Sequence, residues 1–159
     1  MTVKKNAEGL PINEEFLTDS VGFLLSKAAQ MINELHIPTF AKFEVEPKQY
    51  GILSLLNVRT NLSQIEISRE LMIDRSTMVS LVDNLERTNL VIRSRDIRDR
   101  RAYSLALTQK GKKILQALST ELASIESEFL EDLTVKESAI FKKVLRKLVL
   151  QRDCDVGLL

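Results

Sequence analysis

Arginine side chains are concentrated in one short stretch of this sequence, residues 93–101, where five of the nine positions are arginine. Like charges at this density repel one another, so a folded loop gains little from them without an anionic partner. Guanidinium groups at a hairpin tip suit the minor groove of DNA, whose negative potential deepens where the groove narrows. A carboxylate there, Asp99, can hold a neighbouring guanidinium by a bidentate bond. The expected DNA contacts in this stretch are Arg95, Arg98, Arg100 and Arg101, with Asp99 as their partner.

The charge around this stretch differs from the charge of the rest of the chain. Residues 69–113 contain eleven Lys and Arg against six Asp and Glu, a net charge of +5, while the remainder carries −4. A basic segment between acidic segments favours an anionic partner. The alternative interpretation is a solvated loop whose local ion pairs contribute little energy.

Two short helices are predicted on either side of residues 72–74, in a helix-turn-helix pattern. Ser63 and Glu66 have the spacing of a capping box, and Asp74 offers a second N-cap for a helix to about Thr88. The apolar residues of this second helix fall at i, i+3, i+4 and i+7 and so predict one buried face. They are Met78, Leu81, Val82 and Leu85.

The opposite face of the second helix is polar and rich in hydrogen-bonding groups. In a helix-turn-helix this helix enters the major groove with its N-terminal residues first. Arginine binds guanine edges or phosphates, and the serine and threonine hydroxyls bind phosphates or bases. The Val79 side chain suits contact with a thymine methyl group. The predicted major-groove contacts are Arg75, Ser76, Thr77, Val79, Ser80 and Asn84. Ser63 and Gln64, at the start of the first helix, are expected to contact the DNA backbone.

The rest of the chain is predicted to be helical apart from one hairpin. A helix is expected from about Asn13 to Leu35, followed by a proline-containing connection over residues 36–47. Pro47 suits the first turn of the next helix, which ends near Asn57. Residues 90–95 and 101–107 are β-prone, and Tyr103, Leu105 and Leu107 alternate with small residues as in a half-buried strand.

A long helix follows from a cap at Thr108 to about Asp132, and a capping box from Thr134 to Glu137 opens the last helix. The long helix carries apolar residues at steps of three and four, a pattern typical of a coiled-coil seam. They are Leu115, Leu118, Leu122, Ile125 and Phe129. Two subunits that bury this seam and the terminal helices would cover surface that one small domain cannot, which favours a homodimer.

The predicted fold class is therefore mainly α with a small β-hairpin wing (α+β), a winged helix-turn-helix joined to a helical dimerisation region. The expected segments are a flexible N-terminal arm (1–12), the dimerisation region (13–46 and 109–150), the winged helix (47–108) and a C-terminal tail (151–159).

The sequence resembles the MarR family of bacterial transcriptional regulators over roughly residues 13–149. The resemblance lies in the run Ile73–Arg87, in Leu90-Val91, Asp96 and Asp99-Arg100-Arg101, and in Leu105–Gly111. The run Val45–Leu53 resembles the family's entry into its second helix. The resemblance implies a homodimer in which the first and last helices of each subunit form a shared helical region.

By the same resemblance, the dimer binds a near-palindromic operator in double-stranded DNA. Arg101 matches the wing arginine that enters the minor groove, and Asp99 matches the aspartate that orients it. Many such regulators release DNA when a small phenolic or lipophilic effector binds between the dimerisation region and the winged helix. Polar or aromatic groups that can reach such a crevice are Lys27, His36, Tyr50 and Arg59, although each also suits a structural or surface role.

No cofactor or metal site is expected, because His36 is the only histidine of the 159 residues and metal-ligand spacings are absent. The sequence contains no phosphate-binding loop and no nucleophile elbow, which argues against an enzyme. Cys154, the only cysteine, lies between two aspartates, which disfavour a thiolate, so we interpret it as an incidental surface residue. A single cysteine and the lack of an apolar run of membrane-spanning length favour a cytoplasmic protein with no membrane partner. The main alternative function is a winged-helix module that binds protein rather than DNA.

Overall fold

The structure is a computed structural model that describes residues 19–95 and 103–150. Helices and strands are numbered along the described chain. They are α1 (Val21–Phe43), α2 (Pro47–Val58), β1 (Leu62–Ser63), α3 (Gln64–Glu70), α4 (Arg75–Arg87), β2 (Val91–Arg95), β3 (Tyr103–Leu107), α5 (Gln109–Phe129) and α6 (Val135–Leu150). The chain forms two compact units that divide within α5, between Leu122 and Ala123. The predicted class, mainly helical with a small β-sheet in a winged helix, is confirmed.

Helix α1 runs through Pro38 to Phe43, so the predicted end at Leu35 and the connection that was expected to follow are wrong. An interior proline removes one helical hydrogen bond and costs about 3 kcal/mol. The extra turns bury Thr39 and pack Phe40 and Phe43 against the core, and this burial offsets the cost.

Helices α2, α3 and α4 begin at the residues that the local start signals predicted. Pro47 occupies the first turn of α2. The Ser63 hydroxyl accepts from the Glu66 N–H at 3.2 Å, and the Ser63 N–H donates to the Glu66 carboxylate at 2.7 Å, which confirms the capping box. In α4 the predicted apolar face is confirmed, because Met78, Leu81, Val82 and Leu85 are all buried.

The hairpin belongs to a three-stranded antiparallel sheet in the order β1-β3-β2. The two-residue strand β1, which has no periodicity of its own, was not predicted; Leu62 pairs with Leu105. The predicted alternation in β3 is only partly right. Leu105 is buried, but Tyr103 is 56% exposed and Ser104 is 2% exposed. Ser104 lies on the central strand between Ser63 and Ser94, whereas Tyr103 pairs with Arg95 at the last register position of the hairpin.

Helix α5 begins at the predicted cap, because the Thr108 hydroxyl accepts from the Gly111 N–H at 2.9 Å. Its apolar stripe does not form a seam free to pack against a second subunit along its whole length. The first three leucines are buried in the core of their own chain, and Ile125 and Phe129 are half-buried. A spacing of three and four residues predicts a stripe, but it leaves open which surface the stripe packs against.

The second unit contains the end of α5 and helix α6. The predicted capping box at Thr134 is confirmed, because its hydroxyl accepts from the Glu137 N–H at 3.3 Å and its N–H donates to the Glu137 carboxylate at 2.9 Å. Much of the apolar surface of α6 is exposed, including Ile140, Phe141, Val144, Leu148 and Val149. Within residues 19–95 and 103–150, no helix is long and apolar enough to cross a membrane.

Substitution of Gly111 by alanine should destabilise the protein. The added Cβ would lie 2.1 Å from the carbonyl oxygen of Leu90, so the start of α5 would have to move away from β2. We expect a loss of roughly 1–3 kcal/mol in the free energy of unfolding, measured by urea denaturation.

Gly51→Ala is the matched control. At this helical position the added Cβ meets a flexible Leu71 methyl at 3.7 Å, an ordinary contact, and alanine favours helix. Equal stability of both variants would contradict the close approach of α5 to Leu90.

Candidate nucleic-acid interface

The N-terminal turn of α4 presents the predicted major-groove residues on one open surface. Arg75, Ser76, Val79 and Ser80 are exposed, and Thr77 is half-buried. Asp74 caps this turn, since its carboxylate accepts from the Ser76 hydroxyl at 2.6 Å and from the Thr77 N–H at 2.9 Å. The cap therefore fixes the direction of the Ser76 hydroxyl, one of the groups predicted to contact DNA.

Asn84, on the same helix, is less available than the sequence indicated. It is half-buried, and its amide oxygen accepts a 2.9 Å hydrogen bond from the side chain of Gln49. Gln49 is only 1% exposed, so this bond satisfies a buried polar group and links α2 to α4. Gln49 was not predicted; its position three residues after Glu46, the spacing of a capping box, was the available signal.

Ser63 and Gln64, the predicted backbone contacts, lie at the start of α3 and are both half-buried. The Ser63 hydroxyl and N–H both take part in the capping box with Glu66. This arrangement leaves the first turn of α3 beside α4, with Gln64 lining the groove between the two helices.

Two grooves flank α4 and differ in chemistry. One, of about 410 Å³, is mainly polar and is lined by Glu46, Gln49, Ser76, Thr77, Ser80, Leu81 and Asn84. The other, of about 320 Å³, lies between α3 and α4 and is lined by Gln64, Ile65, Ser68, Arg75, Met78 and Val79. We call the second one the α3–α4 groove.

Arg93, the first arginine of the basic stretch, has anionic partners within the protein. Its guanidinium donates to the carboxylates of Asp83 and Glu86, both at 2.6 Å. The hydrogen bond to Asp83 is the main reason that the pKa of Arg93 is raised, and Glu86 adds to it. Arg93 therefore needs no nucleic acid to balance its charge, and it instead fastens β2 to α4.

The other residues of the predicted wing are only partly described. Arg95 is exposed at the end of β2, opposite Tyr103. The remaining predicted wing contacts lie outside the described residues and stay predictions. They are Arg98, Asp99, Arg100 and Arg101.

The four residues predicted for an effector crevice separate into two groups. His36 packs edge-on against Phe40 at 6.1 Å between ring centroids, and Phe40 packs against Tyr50 at 5.9 Å. The Tyr50 hydroxyl lies 3.3 Å from the Ser119 hydroxyl of α5. The Nε2 atom of His36 is buried and has no hydrogen-bond partner within the described ranges. We call these three rings with Ser119 the aromatic cluster.

Lys27 and Arg59 are engaged elsewhere. Lys27 is exposed and donates to Gln30, its neighbour on α1, at 3.3 Å. Arg59 forms an ion pair with Glu70 at the end of α3. No contact joins either of them to the aromatic cluster within the described part of the chain. Nor do three or more His, Cys, Asp or Glu residues group there as a metal site would require.

The Asp74 cap should make stability depend on pH. Hydrogen bonds from Ser76 and Thr77 hold the pKa of Asp74 well below its ordinary value of 3.8. A lowered carboxyl pKa stabilises the folded state fully above the ordinary value, and this contribution disappears as the pH falls toward the lowered pKa. Asp74→Asn keeps an acceptor oxygen without the charge. We expect the wild-type advantage over Asp74→Asn, measured by thermal unfolding, to shrink between about pH 6 and about pH 2. A difference that does not vary with pH would contradict the role of the charge.

Comparison with known proteins agrees with this geometry. A family model described as MarR family matches residues 43–102. The HTH-type transcriptional regulator SarZ of Staphylococcus saprophyticus is 28% identical over 127 residues, which are 80% of this chain and 86% of SarZ.

Two solved structures extend the similarity over most of the chain. The transcriptional repressor CouR, bound to a 23-mer DNA duplex, has a TM-score of 0.79 and 27% identity, and the match covers 87% of this chain and 99% of CouR. The PcaV transcriptional regulator from Streptomyces coelicolor, in complex with its natural ligand, has a TM-score of 0.66 and 27% identity, and the match covers 83% of this chain and 93% of PcaV. Over residues 43–102 the chain thus matches the MarR family model, and over most of its length it is similar to transcriptional regulators with a winged helix.

Proposed function

We propose that this protein is a homodimeric repressor that binds a near-palindromic operator in double-stranded DNA. The observation that carries the proposal is the open N-terminal turn of α4, where Arg75 and exposed hydroxyls project from a helix whose other face is buried. A helix-turn-helix reads the major groove with this part of its second helix. The DNA-bound structure of CouR, at 27% identity, supports the same use of the fold here. Its role is then in regulation rather than catalysis, and it would act in the cytoplasm.

The dimer is proposed to use the helical segments 13–46 and 109–150. Exposed apolar side chains lie on α1 in the first unit and on α6 in the second, and each set favours a partner because exposed apolar area is unfavourable in water. On α1 the exposed apolar side chains include Val21, Phe23, Leu24, Leu25, Met31, Leu35 and Ile37. A two-fold axis would place the two α4 helices about one turn of DNA apart, roughly 34 Å.

A small aromatic or lipophilic effector is proposed to bind at the aromatic cluster. The buried, unpaired Nε2 of His36 offers a polar group to a ligand, and Phe40 and Tyr50 offer ring surfaces. PcaV is a relative whose structure contains its natural ligand. Lys27 and Arg59 are less suited to this role, because each has a partner elsewhere.

Selection of bound duplexes from a random library at physiological salt tests the DNA-binding proposal. A palindrome with half-sites one turn apart is the expected result. Arg101→Ala should then weaken binding to that operator severely. It should also reduce the slope of log affinity against log salt by about one for each phosphate that the protein no longer neutralises.

Arg146→Ala is the control for this variant, since Arg146 is an exposed arginine on α6, outside the winged helix. It should leave the salt slope unchanged. Failure of a folded, dimeric protein to enrich any duplex would favour the alternative, a winged-helix module that binds protein.

Loss of the histidine should weaken the response to an effector. We would screen phenolic acids, starting with 4-hydroxybenzoate, for release of the selected operator in a gel-shift titration. For an acid that releases DNA, His36→Phe should raise the concentration required, because the ring surface remains while the polar nitrogen is removed. Lys27→Ala is the matched control, and equal shifts in both variants would contradict binding at the aromatic cluster.

A further inference from the structure

The α3–α4 groove contains two apolar side chains that the core does not use. Ile65 is 65% exposed and Val79 is 42% exposed, although both line the same groove. A single exposed apolar residue is ordinary on a protein surface. Two β-branched residues on opposite walls of one groove form a small apolar site instead.

The polar group beside this site is Arg75. It precedes Val79 by four residues and therefore lies on the same side of α4, one helical turn earlier. Arginine binds the O6 and N7 atoms of guanine in the major groove. The groove thus combines a guanidinium with an apolar surface about 6 Å further along the helix.

The major groove of DNA offers one apolar substituent on its base edges, the C5 methyl of thymine. The polar groove on the other flank of α4 has no exposed apolar side chain, because Leu81 is buried there. The two flanks of the helix therefore match different base edges, and only the α3–α4 groove matches a methyl group.

We infer that the α3–α4 groove holds the methyl group of one thymine in each operator half-site, in contact with Ile65 and Val79, beside a base that Arg75 binds. This inference rests on the proposed binding of operator DNA. Burial of one methyl-sized group contributes about 0.8 kcal/mol, which corresponds to about fourfold in affinity for each half-site. Two half-sites give about fifteenfold for a symmetric operator.

Deoxyuridine substitution tests the inference, because uracil lacks only the methyl group of thymine. Each thymine of the selected operator is replaced in turn, symmetrically in both half-sites, and affinity is measured by fluorescence anisotropy. We expect one thymine position at which the affinity of the wild-type protein falls about fifteenfold. At that position Val79→Ala should lose less affinity on uracil substitution than the wild type, because it lacks one of the two side chains that touch the methyl group. The double variant Ile65→Ala/Val79→Ala should bind both duplexes with nearly equal affinity.

Ser80→Ala is the matched control: Ser80 is an exposed neighbour that lines the polar groove, and its variant should keep the full decrease in affinity on uracil substitution. If Val79→Ala lowers the melting temperature of the protein, Val79→Thr is used in its place, because threonine has nearly the same shape as valine. Measuring the wild type and Val79→Ala on both the thymine and the uracil duplex separates the methyl contact from effects of uracil on DNA shape.

Three outcomes would overturn the inference. If binding is tight and sequence-specific but no replacement of thymine by uracil lowers the affinity, the methyl contact is refuted and the proposed function stays intact. A sensitive thymine whose effect persists in both Val79→Ala and Ile65→Ala would place the methyl elsewhere on the protein. Absence of sequence-specific binding to any duplex would refute the proposed function itself, and the inference with it.

Discussion

Helix α4 must bury one face and keep the opposite face open, and most of the winged helix is arranged around this requirement. Met78, Leu81, Val82 and Leu85 insert into the core, and their burial fixes the rotation of the helix about its axis. A rotation by one residue would turn apolar side chains outward and polar ones inward, at a cost in buried apolar area. The open face of α4 is therefore set by the packing of its buried face.

Electrostatics impose a second condition on α4, because a helix proposed to approach phosphates carries two carboxylates and has a third at its N-cap. Asp74 is occupied by the hydrogen bonds of the N-cap, and Asp83 and Glu86 are bound by Arg93. The ion pairs with Arg93 lower the negative charge that incoming DNA would meet, whereas Asp74 stays charged at the N-cap. Arg93 thus balances two carboxylates on α4, and it also joins the wing strand to the helix. The basic stretch therefore contains one arginine with an internal role, Arg93, while DNA contact by its other arginines stays a prediction.

Local signals made the starts of α2 to α6 predictable, since a cap needs only a few neighbouring residues. Ser63, Asp74, Thr108 and Thr134 all cap helices as their residue types and spacing indicated. The errors came from packing between distant parts of the chain. Pro38 is tolerated because the turns after it are packed on the core, and the leucines of α5 face the same core rather than a second subunit. For the candidate site, the residue types on α4 were predicted, whereas the bonds of Asn84 and Arg93 depend on neighbours that no sequence spacing reveals.

Helix α2 connects the two surfaces on which the proposed function depends. Gln49 and Tyr50 are adjacent in sequence and therefore point about 100° apart around the helix axis. Gln49 donates to Asn84 of α4, and the Tyr50 hydroxyl lies within hydrogen-bond distance of Ser119 on α5. A ligand changes DNA affinity only if it binds two arrangements of the protein with different affinity. An effector held against Tyr50 meets this condition if it shifts or turns α2, because the same movement strains the buried bond between Gln49 and Asn84. Effector binding and DNA affinity are then coupled through α2, which is packed on both sides, and the effector need not contact the DNA.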